Sequence, residues 1–171
     1  CVPPIIAYAN RVFYKGGIQP LRIPKASERI DPPLVDIYVT DGFRDKHDHN
    51  DYEAQAIAEE ISAILKNEAF VGRTIGVVSL LGLDQAKHID SIVRQRCDAA
   101  ELLHRKFECG EARTFQGSER DIMFLSMVVD RKNCHALSGL KFDQRFNVAA
   151  SRARDRMYLI RSVNASDLSD K

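Results

Sequence analysis

The chain has 171 residues, of which 44% are hydrophobic and 29% charged, and its formal net charge is +1. This composition is typical of one globular domain with a sizeable core, and it excludes a disordered or collagen-like chain. No apolar run approaches the roughly 18 residues of a transmembrane helix and no signal peptide is visible, so we expect a cytoplasmic protein without a membrane partner.

The first residues predict that the chain is a single domain, residues 1–171, cut from a larger protein. It begins with Cys1 rather than Met, and "CVPPII" already has the pattern of a structured element. The four cysteines include no CxxC pair, which favours reduced thiols over a zinc site.

Charge is distributed unevenly along the chain. Residues 113–161 contain ten Lys and Arg against five Asp and Glu, whereas residues 1–112 have an acidic excess. A local basic excess is typical of proteins that bind a nucleotide or a nucleic acid, and it is equally compatible with a solvated basic surface. Charge alone leaves both interpretations open.

The first third of the chain predicts a helix, a loop and a strand. "PPIIAYANRVFYKGG" has prolines suited to a first helical turn and ends in two glycines. Residues 16–33 are rich in Pro and Gly and predict an irregular loop. "LVDIYV" has the apolar, β-branched pattern of a strand, and the polar connection "TDGFRDKHDHN" follows it.

Two histidines in this polar connection raise the question of a metal site. His47 and His49 lie among three aspartates, which is a metal-binding composition. A polar loop before a helix more commonly has this composition because such residues make turns and helix caps, with Asn50 or Asp51 as the cap here. We therefore predict no metal site.

The rest of the chain alternates helices and strands. "DYEAQAIAEEISAILKNE" is amphipathic and predicts a helix, followed by the strand "RTIGVVSL" and a helix over about 84–103. "ECGEARTFQGSERD" is predicted to be turn-rich. The strand "IMFLSMVV", a loop over 130–140, the helix "FDQRFNVAASRARD" and the strand "RMYLIR" complete the order.

Apolar strands that alternate with helices predict an α/β domain with a mainly parallel sheet, in which ligands bind at the carboxyl ends of the strands. The sequence contains no GxxxxGK[ST] loop and no glycine-rich dinucleotide turn. A nucleotide site of those two kinds is therefore excluded.

The stretch "TFQGSERD" is the first of two specific signals. Gly117 allows the backbone to approach a ligand closely, while Gln116 and Glu119 offer an amide and a carboxylate from the same turn. The alternative is an ordinary turn before a strand.

The stretch "DQRFNVAASRARDRMYLI" is the second signal. At about 100° per residue, a helix would place its apolar residues on one stripe, with Arg145 and Arg152 on one flank and Arg154 towards the other. The stripe consists of Phe142, Phe146, Ala149 and Ala153. The alternative is a set of surface arginines lying beside the core.

Taken together, "FQGSERDIMFLSMV" and "RFNVAASRARDRMYLI" resemble motifs V and VI of superfamily 1 helicases. They match the second RecA-like domain of the subgroup that has FQGxExD and NVALTRAR patterns. In addition, "NDYEA" resembles the N-x-x-E-A that opens a helix of this domain, and "IGVVSLLGLDQ" resembles the strand of motif IVa. The usual "SPYxxQ" is "SLLGLDQ" here, one residue longer.

The resemblance implies a three-layer, RecA-like α/β fold without a phosphate-binding loop. ATP and Mg²⁺ would be bound mainly by an N-terminal RecA-like domain of the same protein. By motif position, Arg152 is the catalytic arginine finger, a role that contributes about 10³–10⁵ in rate in related NTPases. A guanidinium suits this role because it stays charged and presents a planar fork of donors. The residues expected on the nucleotide side are Gln116, Gly117, Glu119, Arg145 and Arg154.

The resemblance also implies a track for single-stranded nucleic acid, DNA in preference to RNA, with contacts from Ser79, Arg113 and Thr114. The isolated chain is expected not to hydrolyse ATP because half of the site lies in the other domain. The alternative is a non-catalytic nucleic-acid-binding or scaffold module of the same shape. A nuclease is a third possibility, which the lack of a carboxylate cluster with metal-binding spacing disfavours.

Overall fold

Five strands pair into one sheet in which every described pairing is parallel. They are β1 (Leu34–Tyr38), β2 (Ile75–Ser79), β3 (Glu108–Glu111), β4 (Arg120–Ser126) and β5 (Ala153–Arg161). Their spatial order is β1-β5-β4-β2-β3. We refer to the edge where these strands begin as the amino end of the sheet, and to the edge where they finish as the carboxyl end.

The computed structural model describes residues 2–17, 24–25, 28–132 and 140–167, with the backbone alone for residues 8–9, 12–13, 140–143 and 165. Its helices are α1 (Pro3–Phe13), α2 (Asp51–Leu65), α3 (Leu83–Arg96), α4 (Ala99–His104) and α5 (Leu140–Ser151). Short 3-10 turns lie at Glu68–Phe70, Ala112–Phe115 and Ala165–Asp167. In this part of the chain, no helix combines the length and the apolar character that a membrane span requires.

The helices form a layer on each face of the sheet, so the fold has three layers. On one face, α2, α3 and α4 cover a core that includes Ile57, Ile89 and Phe124. On the other face, α1, α5 and the 3-10 turn at Ala112–Phe115 cover a second core that includes Phe115 and Leu125. The predicted RecA-like α/β fold with a mainly parallel sheet is confirmed.

Helix α2 begins as its sequence predicts. The side chain of Asn50 accepts a hydrogen bond from the Glu53 N–H, which confirms Asn50 as the cap. Ile57, Ile61 and Ile64 are buried against the sheet. The amphipathic pattern therefore identified both the helix and its buried face.

The predicted helix over 84–103 is wrong, because two helices occupy this region. Cys97 has an extended backbone between α3 and α4, and the side chain of Asp98 accepts a hydrogen bond from the Glu101 N–H as a new N-terminal cap. An aspartate that caps a second helix favours a break over a continuous helix.

The turn-rich prediction for "ECGEARTFQGSERD" is wrong for its first four residues, which form β3. This strand pairs with β2 from Gly76↔Glu108 to Ser79↔Glu111. Gly110 is suited to its position because a Cβ there would lie 2.6 Å from the Thr114 Cβ. Pairing with a neighbouring strand, rather than local pattern, creates β3.

The helix predicted over "FDQRFNVAASRARD" is also wrong at its C-terminal end. Helix α5 ends at Ser151, and β5 begins at Ala153, so Ala153 packs in the sheet rather than on a helical stripe. Pairing of β5 with β4 starts at Arg120↔Ala153, where the Arg120 N–H donates to the Arg152 carbonyl at 3.0 Å. Phe146 and Ala149 do contribute to the core, whereas the Phe142 side chain lies outside the described residues.

The predicted irregular loop over residues 16–33 is described only in part. Residues 18–23 and 26–27 lie outside the described residues, as do residues 133–139 of the predicted loop over 130–140. The described remainder of residues 16–33 contains no strand and no α-helix.

Candidate functional site

The junction between α5 and β5 lies at the amino end of the sheet and carries a half-buried arginine. Arg152 is the single residue between the two elements, and its Nε donates to the Val148 carbonyl at 3.3 Å. Within the described part of the chain, no carboxylate pairs with Arg152. Its guanidinium is therefore available for an anion supplied from outside this chain.

Arg154 lies beside this junction and is already engaged. Its guanidinium approaches Asp121 at 3.4 Å and Glu119 at 4.0 Å, while its side chain remains 40% exposed. The register of β4 against β5 shifts between Arg120 and Ile122, and this irregularity lies opposite Arg154. The two stretches singled out by sequence are thereby joined through a charge pair.

The turn before β4 presents several of its residues to solvent. Gln116, Gly117 and Glu119 are exposed, and Gly117 has φ +84°, a conformation that favours glycine. Phe115, directly before them, is fully buried and anchors the turn to the core. We call Gln116, Gly117, Glu119, Arg152 and Arg154 the amino-end group.

Two other arginines at the amino end, Arg156 and Arg73, hold parts of the fold together. Arg156 is buried, and its guanidinium donates to the carbonyls of Asp31 (2.5 Å) and Pro32 (2.8 Å) in the segment before β1. Arg73 pairs with the buried Asp155 at 2.7 Å. These contacts fix the ends of strands, and Arg156 itself is only 6% exposed.

Arg145 lies away from the amino-end group. Its Nη1 donates to the Leu80 carbonyl at 3.3 Å, and Leu80 follows β2 at the carboxyl end of the sheet. Arg145 precedes Arg152 by seven residues, which is about 10 Å along a helix. The structure therefore does not bring Arg145 next to Arg152, and its nucleotide role stays a prediction.

The three predicted nucleic-acid contacts lie at the ends of β2 and β3. Arg113 and Thr114 are exposed in the 3-10 turn that follows β3. Ser79 is opposite Glu111 in the β2–β3 register, but it is only 1% exposed and its Oγ has no hydrogen-bond partner. Arg113 and Thr114 are accessible to a polymer, whereas Ser79 is covered.

Sequence reasoning missed a cluster of five buried polar residues at the carboxyl end. We call it the Glu53 cluster, and it consists of Asn50, Glu53, Gln85, Ser126 and Ser162. Burial raises the pKa of Glu53 from its usual 4.5 to about 7, against hydrogen bonds that favour the carboxylate. A signal was present, because Glu53 lies one helical turn before Ile57 on the buried stripe of α2.

The connection between β1 and α2 contains a turn that Asp45 stabilises. The Asp45 carboxylate accepts hydrogen bonds from the His47 and His49 N–H groups, and the bond from His49 is the main cause that lowers the Asp45 pKa. The His49 ring stacks on His88 with centroids 4.7 Å apart. Across the described residues, no group of three or more His, Cys, Asp or Glu has a metal-binding arrangement.

The sequence matches a model of a known protein family. A family model described as an AAA domain matches residues 1–164, nearly the whole chain. The match includes both stretches that form the amino-end group.

Proposed function

This chain belongs to the AAA domain family, in the group of C-terminal, helicase-like domains of superfamily 1 helicases, and on this premise we propose that it is the second motor domain of an ATP-dependent helicase. In this proposal it supplies an arginine finger to an ATP site shared with a first RecA-like domain. It also supplies part of a track for single-stranded nucleic acid, with DNA preferred.

The observation that carries the proposal is the juxtaposition of Arg152 with the turn before β4. Residues more than 30 apart in sequence meet here, because the Arg120 N–H donates to the Arg152 carbonyl at 3.0 Å. Gln116, Gly117 and Glu119 then lie on the same exposed end of the sheet. A charged guanidinium beside exposed amide and carboxylate groups suits a nucleotide that another domain holds.

Arg152 suits the finger role better than Arg154. The Arg154 guanidinium already faces Asp121 and Glu119, so its transfer to a phosphate requires separation from two carboxylates. Arg152 has no such partner among the described residues, and only a carbonyl of its own helix accepts from it. A guanidinium without a carboxylate partner can be inserted into an anionic site at lower cost.

ATP with Mg²⁺, bound mainly by the first RecA-like domain, supplies the phosphoryl group that is transferred to water. The residues of this chain fit the complementary part, since the amino-end group offers cationic and polar side chains. In this role Arg152 places positive charge where negative charge develops, and Gln116 and Glu119 orient polar groups of the nucleotide.

The finger role predicts a large loss of ATP turnover on substitution of Arg152 by Ala in the protein that contains both RecA-like domains. Related NTPases lose about 10³-fold or more when an arginine finger is removed. Turnover is measured with single-stranded DNA and with RNA in separate assays, and thermal unfolding checks that the fold is retained.

Arg96→Ala is the matched control, because Arg96 is a half-exposed arginine of α3, on the opposite face of the sheet, with an ion pair to Glu59 at 3.3 Å. Its turnover should stay within about twofold of the unsubstituted protein. Near-normal turnover of Arg152→Ala would reject the finger role. Absence of turnover in the unsubstituted protein with either nucleic acid would favour a non-catalytic binding module.

A further inference from the structure

One buried carboxylate joins two neighbouring strands, β4 and β5, where they leave the sheet. Glu53 is 0% exposed, and its Oε2 accepts hydrogen bonds from the Ser126 hydroxyl (2.7 Å) and the Val128 N–H (2.9 Å). Its Oε1 accepts from the Ser162 hydroxyl at 2.8 Å. Ser126 ends β4 and Ser162 follows β5, so a single side chain of α2 binds both exits.

Two buried amides extend these contacts to α3. The Asn50 Nδ2 donates to the Ser162 hydroxyl at 2.9 Å. The Asn50 N–H donates to Gln85 Oε1 at 2.9 Å, and Gln85 Nε2 donates back to the Asn50 carbonyl at 3.1 Å. The Glu53 cluster therefore links α2, α3, β4 and β5 in one buried network at the carboxyl end.

The backbone that leaves β4 has an unusual conformation at the point where Glu53 binds it. Val128 has φ +66°, a region that a β-branched residue rarely adopts, and its side chain is fully buried. Such conformations persist where the surroundings hold them in place. The hydrogen bond from the Val128 N–H to Glu53 is a direct restraint of this kind.

The same segment is held again two residues later. Asp130 is 3% exposed, and its carboxylate accepts hydrogen bonds from the Arg44 N–H (2.6 Å) and the Lys132 N–H (2.8 Å). The route from β4 towards α5 is therefore anchored to the β1–α2 connection as well as to α2.

We propose that Glu53 is a positioning residue that fixes the exit of β4, residues 126–128, and thereby the carboxyl end over which the single strand runs. The first half of this inference, that Glu53 fixes residues 126–128, stands on the hydrogen bonds alone. The second half, that this positions the track for the single strand, rests on the proposed function. Glu53 does not contact the nucleic acid and acts through the backbone of Val128.

The length of the Glu53 side chain, rather than its charge, allows it to hold the exit of β4. No Lys, Arg or His of the described residues pairs with Glu53, and its partners are two hydroxyls and backbone N–H groups. A neutral carboxamide keeps the hydrogen bonds from the Ser126 hydroxyl and the Val128 N–H through its carbonyl oxygen. Its NH₂ group donates to the Ser162 oxygen, whose own proton then loses Glu53 as its acceptor. Aspartate keeps the charge but lies one methylene short of Val128.

Backbone hydrogen exchange of the full chain tests the first half. Glu53→Asp should raise the exchange rate of the amides at residues 127–129 by about tenfold or more, while Glu53→Gln leaves it near that of the unsubstituted chain. Glu59→Asp is the matched control, since Glu59 lies exposed on the same helix and should leave these amides unchanged. Unchanged exchange in Glu53→Asp, or equal loss of protection in Glu53→Gln, would overturn the proposal.

Binding of a labelled single-stranded DNA oligonucleotide, measured by fluorescence anisotropy in the two-domain protein, tests the second half. Glu53→Asp should weaken binding by at least about fivefold, with Glu53→Gln close to the unsubstituted protein. If the unsubstituted protein binds no single strand, the proposed function fails, and the exchange result still decides the role of Glu53 at the turn. If Glu53→Asp loosens the turn without weakening binding, the positioning role for the track is wrong.

Discussion

At the scale of single residues, three arginines spaced two apart have three different environments. Arg152 connects a helix to a strand and has no carboxylate partner among the described residues, whereas Arg154 faces Asp121 at 3.4 Å. Arg156 is buried and donates to carbonyls of the segment before β1. Loss of activity after substitution of Arg156 would therefore report a loss of structure, and only Arg152 gives a clean test of catalysis.

Glu53 also sets a pH dependence of stability. Burial raises its pKa from 4.5 to about 7, so the folded chain retains a proton that the unfolded chain releases between these values. Stability from this group is fully present below about pH 4.5, falls as the pH rises and levels off above about pH 7. The total change is on the order of 3 kcal/mol.

Glu53→Gln removes this titration and gives the corresponding prediction. The free energy of unfolding of Glu53→Gln minus that of the unsubstituted chain should increase from pH 5 to pH 8 by a few kcal/mol, at most about 3. Urea unfolding at intervals of one pH unit measures this difference, in which groups common to both chains cancel. A difference that stays constant with pH would show that Glu53 titrates normally.

At the scale of elements, the Thr114 side chain explains why β3 contains a glycine. A Cβ at Gly110 would lie 2.6 Å from the Thr114 Cβ, which is closer than packed side chains approach. Gly110→Ala should therefore lower the free energy of unfolding by about 1–3 kcal/mol, as overpacking does in other cores.

A double-mutant cycle with Thr114→Gly checks this origin. The combined change should cost less than the sum of the two single changes, because removal of the Thr114 side chain gives the new methyl group space. Urea unfolding of the four chains supplies the cycle. If the losses in free energy of unfolding are additive, contact with Thr114 is not the cause of the Gly110→Ala effect, and another cause, such as the conformation of the strand itself, must account for it.

Elements with a strong local pattern could be predicted from the sequence, and those that depend on neighbours could not. The stripe of Ile57, Ile61 and Ile64 identified α2 and its buried face. By contrast, β3 has charged ends and a central glycine, and it exists because β2 pairs with it. Likewise, the end of α5 depends on pairing of Ala153 with Arg120, which a helical pattern does not reveal.

At the scale of the whole molecule, the predicted nucleotide-side residues other than Arg145 lie at the amino end of the sheet, and the predicted nucleic-acid contacts lie at its carboxyl end. The amino-end group could be predicted because its two stretches carry recognisable motifs. The burial of Glu53 could be predicted from the stripe of α2, but its partners in the Glu53 cluster could not, since the five residues come from four separate elements or their ends. Helix α5 runs between the two ends, with Arg145 near Leu80 at one and Arg152 at the other.

The proposed sharing of the ATP site between two domains predicts that the 171-residue chain alone has no ATPase activity. It contains no phosphate-binding loop, so it offers only the complementary part of the site. Phosphate release from ATP and Mg²⁺, with and without single-stranded DNA, should stay at the uncatalysed background. Substantial turnover by the purified chain would show that it holds a complete site and would contradict the proposed function.

The junction of α5 with β5 has a mechanical consequence. A single residue separates the helix from the strand, and one residue spans at most about 3.6 Å, so the connection has no slack. The backbone of Arg152 cannot swing on a loop, and it moves only when the helix and the sheet move with it, so the guanidinium has only its side-chain rotations as independent motion. In the proposed two-domain protein, the distance between the Arg152 backbone and a phosphate on the facing domain would then report the angle between the two domains.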